Sequence, residues 1–378
     1  MAKPRAAQLL DLGQSVWLDF IRRGSLTSGE FDRLVAEEGV MGVTSNPTIF
    51  QLAISQSHDY DAALTQRVAA GLQGTALFES LAVEDIQMAC DHLRATFERT
   101  GGRDGRVSIE VNPHLAHDTA ATLAEARRLR RAVGRDNVMI KVPATAAGLP
   151  AIETLTAEGL SINVTLIFSL ARYRQVLEAY LAGLEQRAGR GESLDSIHSV
   201  ASFFVSRVDS KIDKAIEAAA AGHSAGSPAG NELQGLQGRA AIANARLAYA
   251  HFRSVTDSPR GRALAARGAH PQRPLCASTS TKNPAYRDVI YVEELIGADT
   301  VNTMPPQTLT AFNDHGVVEA RIERDLEAAA ALFRRLPELG IPAERLIEEL
   351  EPEGVAAFSK SFDLLLEALD GKRRELVA

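Results

Sequence analysis

The strongest constraint on this chain is an alternation of two patterns. Eight short apolar runs rich in β-branched and aromatic residues recur along its 378 residues, at 15–20, 42–45, 107–111, 138–143, 161–168, 200–208, 273–279 and 300–305. Segments of helical periodicity fill the intervals. Thr27 and Glu30 form a capping-box pair ahead of Phe31, Leu34 and Val35, and Gly39 closes that segment. Asp118 or Thr119 caps a further helix, which carries Leu123, Ala126, Leu129 and Val133 on one face and stops at Gly134. Strands that alternate with helices pair in parallel through helical crossovers. Eight such units predict an α/β fold of the (β/α)8 TIM-barrel type rather than an open doubly wound sheet. No glycine-rich phosphate fingerprint follows the first run, which weakens the dinucleotide-binding alternative.

Two connections are long. Residues 51–105 separate the second and third strands, and residues 209–272 separate the sixth and seventh. Both read as insertions on a single barrel domain spanning 1–378. The second contains AAAAGHSAGSPAGNELQG, a small-residue stretch predicted to be a flexible excursion. Beyond it, Leu236, Ala240, Ile242, Ala245, Leu247 and Ala248 mark either a core helix or an interface, and burial in the helix layer is the plainer account. From about residue 317 the chain reads as helical and charged, with Arg321, Arg324, Glu348 and Glu349 set among Leu346, Leu350 and Leu364 to Leu366. These helices are expected to pack across the barrel. No internal repeat at a fixed period is found.

Composition narrows the function classes. The formal charge of −7 argues against nucleic acid or an anionic membrane as a partner. No uncharged apolar run reaches the roughly 18–20 residues of a membrane span, and the first residues lack the features of a signal peptide. Two cysteines, Cys90 and Cys276, fit a reducing compartment rather than a disulfide framework. A globular cytoplasmic protein is expected, as a monomer or homodimer.

Polar residues interrupt the strands in the same relative place. Asp19 follows Val16-Trp17-Leu18, Glu110 follows Ser108-Ile109, Lys141 follows Met139-Ile140, and Asn163 and Thr165 alternate with Ile162 and Val164. Asn46 follows the second run, and Arg207 closes the sixth. The C-terminal strand ends of a parallel barrel surround one mouth, where its chemistry takes place. These residues are therefore expected to converge there. Singly, each has a plainer account: a solvated rim charge, a turn asparagine before Pro47, an Arg207–Asp209 surface pair, or a core hydroxyl at Ser202. The coincidence of so many at one end shifts the balance.

Lys141 is the most distinctive. It stands in Asn137-Val-Met-Ile-Lys-Val-Pro143, otherwise a two-faced core strand, where an unpartnered ammonium is costly. Either it snorkels its charge to the strand end or it serves as a desolvated amine. A desolvated amine attacks carbonyls and forms a Schiff base. No His-Glu-x-x-His motif, no ligand spacing among nine histidines and no Gly-x-Ser-x-Gly elbow is present, so a metal site is not expected. In Schiff-base chemistry Asp19 would move a hydroxyl proton, Glu110 would shuttle protons for water loss, and Arg207 would suit an anionic substrate tail.

At this point the chain resembles transaldolase, a class I aldolase-type barrel family. Gly42-Val-Thr-Ser-Asn46-Pro47-Thr-Ile-Phe50 is similar to the family's first signature, and Val138-Met-Ile-Lys141-Val-Pro-Ala-Thr-Ala-Ala-Gly-Leu-Pro-Ala151 to its active-site lysine signature. The likeness continues through Ile162–Ser169, Ser202–Asp209 and Ala277-Ser278, and the length suits the longer bacterial form. The resemblance implies transfer of a dihydroxyacetone unit from sedoheptulose 7-phosphate to glyceraldehyde 3-phosphate, with sugar phosphates as partners and no cofactor. It implies that Lys141 forms the Schiff base, that Asp19 takes the C4 hydroxyl proton, and that Glu110 and Thr165 hold the relaying water. Asn46, Asn163 and Ser202 would bind the three-carbon unit, and Arg207 the phosphate.

After the seventh strand the chain departs from the family pattern of Ala-Ser-aromatic-Arg-Asn. It reads Ala277-Ser278-Thr279-Ser280-Thr281-Lys282-Asn283, so Lys282 replaces a second phosphate-binding arginine without its bidentate fork. Ser278 is carried over as a further substrate contact. Two rivals remain. Fructose 6-phosphate aldolase-like relatives release free dihydroxyacetone, but resemble shorter chains with tyrosine in place of Phe204 and glutamine in place of Glu110. A catalytically dead sugar-phosphate-binding scaffold would be expected to lose Lys141 or Asp19, and both are present.

Overall fold

The computed structural model describes residues 3–224 and 226–377. Eight strands close into one parallel barrel in chain order: β1 Gln14–Leu18, β2 Val40–Val43, β3 Arg106–Glu110, β4 Val138–Pro143, β5 Ile162–Ile167, β6 Ser199–Phe204, β7 Gln272–Ala277 and β8 Thr300–Met304. β8 pairs with β1 and leaves no edge. Almost every strand residue is buried, because one face fills the barrel and the other meets the helices. All eight predicted strands are present.

Two local expectations fail. The run at 200–208 is not all strand: β6 ends at Phe204, and the helix Ser206–Ala220 begins two residues later. Val208, Ile212 and Ile216 form the buried stripe of that helix. Only Ser206 and Arg207 separate the strand's apolar run from Val208, the first apolar residue of the helix, and so short an interruption does not mark the boundary. Arg207 therefore sits in the first turn of a helix rather than closing a strand. The capping box is also absent. Thr27 ends a short helix, Arg23–Thr27, and its hydroxyl donates back to the Arg23 carbonyl at 3.1 Å. The next helix, Glu30–Glu37, starts from Gly29, whose φ of +82° supplies the turn without a side-chain cap. Asp118 does cap its helix, accepting from the Ala121 amide at 2.9 Å, and Gly134 ends it with a φ of +59°.

The long connections are helical. Residues 51–105 contain the helices Asp61–Ala69, Gly74–His92 and Arg94–Arg99. The stretch predicted to be flexible is largely ordered as helix: one helix runs to Ala220, and Ser227 caps the next, Pro228–Gln234, accepting from the Gly230 amide at 3.2 Å. Residue 225 of that stretch lies outside the described residues. The helix Ala240–Thr256 buries Ala240, Ile242, Ala245 and Ala248 against β7 and the helices Ser206–Ala220 and Leu326–Glu338. No described helix is long and apolar enough to cross a membrane.

The last helix, Leu350–Val377, lies across the C-terminal mouth and packs on the helices Pro47–Ser55 and Gly74–His92. Phe358, Phe362, Leu365 and Leu369 are its buried stripe. Thr48 donates to Ser361 at 2.8 Å, His114 meets Asp363 at 2.8 Å, and Arg172 pairs with Glu351 at 2.9 Å. Gly354 lets the helix approach β5: a Cβ there would stand 3.0 Å from Leu166 and 3.3 Å from the Phe168 ring. Leu166 itself has a φ of +59°, at a register shift in the β5–β6 pairing beside Thr165.

The opposite end of the barrel is tied by Asp104. Its carboxylate accepts from Ser15 at 2.7 Å and from Trp17 Nε1 at 3.0 Å, and it pairs with Arg273 at 2.9 Å. Burial pushes this carboxyl up, but Arg273 and the hydrogen bonds outweigh it and hold Asp104 below the usual carboxylate range.

Candidate active site

A cavity of about 560 Å3 opens at the C-terminal ends of the strands. Asp19, Asn46, Lys141, Thr165, Ser202, Phe204, Arg207, Ser278 and Lys282 all line it. Two predicted site residues do not: Asn163 is fully buried behind Ser202, and Glu110 borders a smaller cavity instead.

Lys141 is 4 % exposed, so it does not snorkel to solvent. Pairing register places it between Glu110 on β3 and Asn163 on β5. Its ammonium donates to the Ser45 carbonyl at 3.1 Å and stands 3.1 Å from Glu110 Oε2, off the line of a good hydrogen bond. The Phe358 ring centroid is 5.6 Å away, within cation–π reach. The charge is thus partnered, which is what permits its burial.

Glu110 and Asp19 flank this amine. Burial pushes the Glu110 carboxyl up, Lys141 pulls it back, and Asp19 adds a smaller upward push. Neither Glu110 oxygen has a protein hydrogen-bond partner among the described residues, nor does Thr165 Oγ1. Glu110 also borders a second cavity of about 30 Å3, shared with Asn46. Asp19 lies just past β1, where its amide bonds the Met304 carbonyl at 2.8 Å. Burial raises its pKa, opposed by Lys141, by the Thr44 hydroxyl and by Lys282. Thr44 donates to Asp19 at 2.7 Å and meets Thr303 Oγ1 at 2.7 Å. Because Thr44 spends its one proton on Asp19, Thr303 is the donor in the second bond.

The asparagines serve the scaffold as well. Asn46 accepts from the Ile49 amide at 3.0 Å and so caps the helix Pro47–Ser55. Asn163 donates to Ser108 at 3.0 Å and accepts from Ser202 at 2.7 Å. Both ends of its amide are engaged, and it orients Ser202 from behind. Ser278, with a φ of +57°, shares a 2.9 Å hydroxyl contact with Ser206.

Two cations stand at the rim. No carboxylate of the described residues lies within ion-pair distance of Arg207 or Lys282. Arg207 lies over the rings of Phe204 and Phe358, at 5.4 and 6.0 Å. Asp209 is not its partner: that carboxylate is buried and accepts from Tyr291 and the Ala241 amide, each at 2.7 Å. Lys282 donates to Ser280 at 2.9 Å. Burial lowers the pKa of both cations, and each position favours the arrival of an anion that restores the lost solvation.

Sequence reasoning assigned no part to Thr44, Ser45, Thr303 or Phe358. Thr44 and Ser45 stand inside the quoted Gly42–Phe50 segment, so the signal was present, but one is a hydroxyl partner and the other acts through its carbonyl. Phe358 had no signal, since an apolar residue at helical spacing looks like any core position.

A buried amine between two acids, at the mouth of a parallel barrel with unpaired rim cations, defines a barrel enzyme equipped for amine–carbonyl chemistry on anionic substrates. The chain belongs to the transaldolase/fructose-6-phosphate aldolase family, whose profile matches residues 16–369. It is 46% identical over 374 residues to "Transaldolase 2" of Nostoc sp., covering 98% of both chains. It is 48% identical over 363 residues to "Transaldolase 1" of Streptomyces avermitilis, covering 96% of this chain and 94% of that one. It is 48% identical over 366 residues to "Transaldolase" of Mycobacterium bovis, covering 96% of each.

Proposed function

We propose that this protein is a transaldolase of the non-oxidative pentose phosphate pathway, moving dihydroxyacetone from sedoheptulose 7-phosphate to glyceraldehyde 3-phosphate. Lys141, buried beside Glu110 and opening onto the cavity, carries the reading. Its amine attacks the ketose C2 carbonyl to give a carbinolamine, and loss of water leaves an iminium. Glu110 and Thr165, whose oxygens have free hydrogen-bonding capacity, relay protons in that step. Asp19 takes the C4 hydroxyl proton. The C3–C4 bond then breaks, its electron pair moves into the iminium, and erythrose 4-phosphate departs. The retained enamine adds to the incoming aldehyde, Asp19 returns the proton, and hydrolysis frees fructose 6-phosphate.

Asn46 and Ser202 hold the three-carbon unit, with Ser278 beside them, and Asn163 acts through Ser202. Arg207 and Lys282 bind the phosphate. Phe204 packs on Phe168 at 5.0 Å and offers no hydroxyl to the cavity, which supports transfer over release of free dihydroxyacetone. The same reading takes residues 1–378 as one barrel domain with two insertions, in the cytoplasm, where two buried free cysteines are at home.

The test is borohydride trapping. Fructose 6-phosphate without acceptor, followed by reduction and digestion, should leave a dihydroxyacetone-sized adduct on Lys141. Adding erythrose 4-phosphate should lower the yield by discharging the enamine. No adduct under conditions that label a working Schiff-base aldolase overturns the proposal, and an adduct indifferent to the acceptor favours release over transfer.

A further inference from the structure

A second polar cavity, of about 170 Å3, lies at the opposite, N-terminal end of the barrel. Arg103, Arg106, Arg273, His198 and His270 line it together with Trp17, and no carboxylate does. We propose that it binds a small tetrahedral oxyanion such as phosphate or sulfate. The inference is independent of the chemistry proposed for the mouth.

Arg106, the first residue of β3, carries the argument. It is 1 % exposed, and no carboxylate of the described residues pairs with it. Its Nε donates to the Gly102 carbonyl at 2.6 Å and its Nη1 to Ser161 Oγ at 3.0 Å. Both acceptors are neutral, the Phe97 ring lies 5.1 Å from the guanidinium, and Asp104 acts on it only through space while paired with Arg273, so no carboxylate contacts this buried charge, at a cost in stability. The neighbouring charges are already spent. Arg273 pairs with Asp104 at 2.9 Å, and Arg103 pairs at 2.9 Å with Asp299, which also faces Arg253 at 3.5 Å.

A second observation points to the same ligand. His198 is 8 % exposed, and its Nε2 is buried without a hydrogen-bond partner. Its ring stacks on His270 at 4.0 Å, and His270 Nε2 is held by the Asp195 carbonyl at 2.9 Å. Arg106 Nη2 and His198 Nε2 both pack against Gly102, where a Cβ would crowd them at 3.1 and 3.2 Å, so the missing side chain lets the two groups stand together at the cavity wall. Gly102 also has a φ of +79°, in the left-handed region that favours glycine. Burial and the adjacent Arg273 depress Arg106 to about 9, and burial and Arg106 depress His198 to about 2. An anion between them opposes both shifts. The volume falls below the roughly 300–1,000 Å3 of sites for larger ligands, so it suits a free oxyanion rather than a sugar phosphate.

The experiment uses the full chain with Arg207→Met and Lys282→Met, which removes the cations of the mouth, and titrates inorganic phosphate by calorimetry at low ionic strength. One equivalent of phosphate should bind and should shift the His198 imidazole resonances in NMR spectra. Adding Arg106→Met should weaken binding roughly tenfold or more, the scale of a lost charge-assisted hydrogen bond. If that variant does not fold, His198→Phe, which keeps a ring against His270, should weaken binding in the same direction. No phosphate bound by the mouth-silenced protein at millimolar concentration overturns the proposal. So does binding that neither further substitution alters.

Discussion

At the residue scale, the protein's chemistry rests on groups whose burial is offset by a few neighbours. Lys141 is tolerated in a core strand because Glu110, the Ser45 carbonyl and the Phe358 ring surround its ammonium. Lys141→Met removes charge and nucleophile together, and should give a folded protein with no trapped adduct and no turnover; near-normal turnover would exclude the Schiff base. Asp19→Asn should lower kcat by roughly 10²–10⁴-fold, the usual contribution of an acid–base group, with a much smaller change in KM. A large binding loss at nearly unchanged kcat would assign Asp19 another role. Thr44 tests the electrostatics. Its hydrogen bond lowers the pKa of Asp19 against the upward push of burial. In Thr44→Val the Asp19 pKa therefore rises further, less carboxylate exists at a given pH, and the acid limb of kcat/KM moves to higher pH. A limb that stays put or moves down would show that Asp19 is not the ionisation being read.

At the element scale, the helix Leu350–Val377 does what no strand does: it brings Phe358 over both Lys141 and Arg207. Its seat depends on Gly354, where any side chain enters space held by Leu166 and Phe168. Gly354→Leu should lift the helix, raising KM for sugar phosphates while leaving the circular dichroism of the barrel little changed. Unaltered kinetics would show that the helix does not shape the site. Phe358→Ala should cost roughly 3–5 kcal/mol of stability, as for other buried phenylalanines, read by denaturant titration. Element boundaries were less legible than the elements themselves. The strands were readable because burial on both faces demands continuous apolar runs. The end of β6 was not, because only Ser206 and Arg207 separate the strand's apolar run from the apolar stripe of the helix. The capping box at Thr27 and Glu30 failed because a left-handed glycine between two helices competed for the same turn.

At the scale of the whole molecule, Asp104 ties the loop before β3 to β1 and to β7. Its folded-state pKa is depressed, so its stabilisation is present above the unfolded value of about 3.9 and is lost as pH falls through the folded one. Asp104→Asn should destabilise the protein by about 3–5 kcal/mol at neutral pH, the scale of a broken buried ion pair, and should flatten the acid-side loss. Asp85 acts with the opposite sign. Burial raises it to about 6 against the downward pull of Arg23 and of the Tyr60 hydroxyl, so the folded state holds its proton longer and this contribution declines as pH rises toward that value. Unfolding curves for the wild type, Asp104→Asn and Asp85→Asn across pH separate the two.

The sequence by itself determined the barrel and most of its mouth. Eight apolar runs between helices leave few ways to bury them, and a polar residue at the end of such a run has only the mouth to face. That reasoning covers Asp19, Lys141 and Thr165 without any knowledge of contacts. Tertiary structure alone decided that Asn163 lies behind Ser202 and orients it, that Thr44 bonds Asp19, and that Phe358 covers the amine. It alone decided that Arg106 and His198 meet at the far end of the barrel. Each of these joins residues distant in the chain through the closing of the sheet or the docking of the last helix. Local pattern records the period of an element, and it does not record which element arrives opposite.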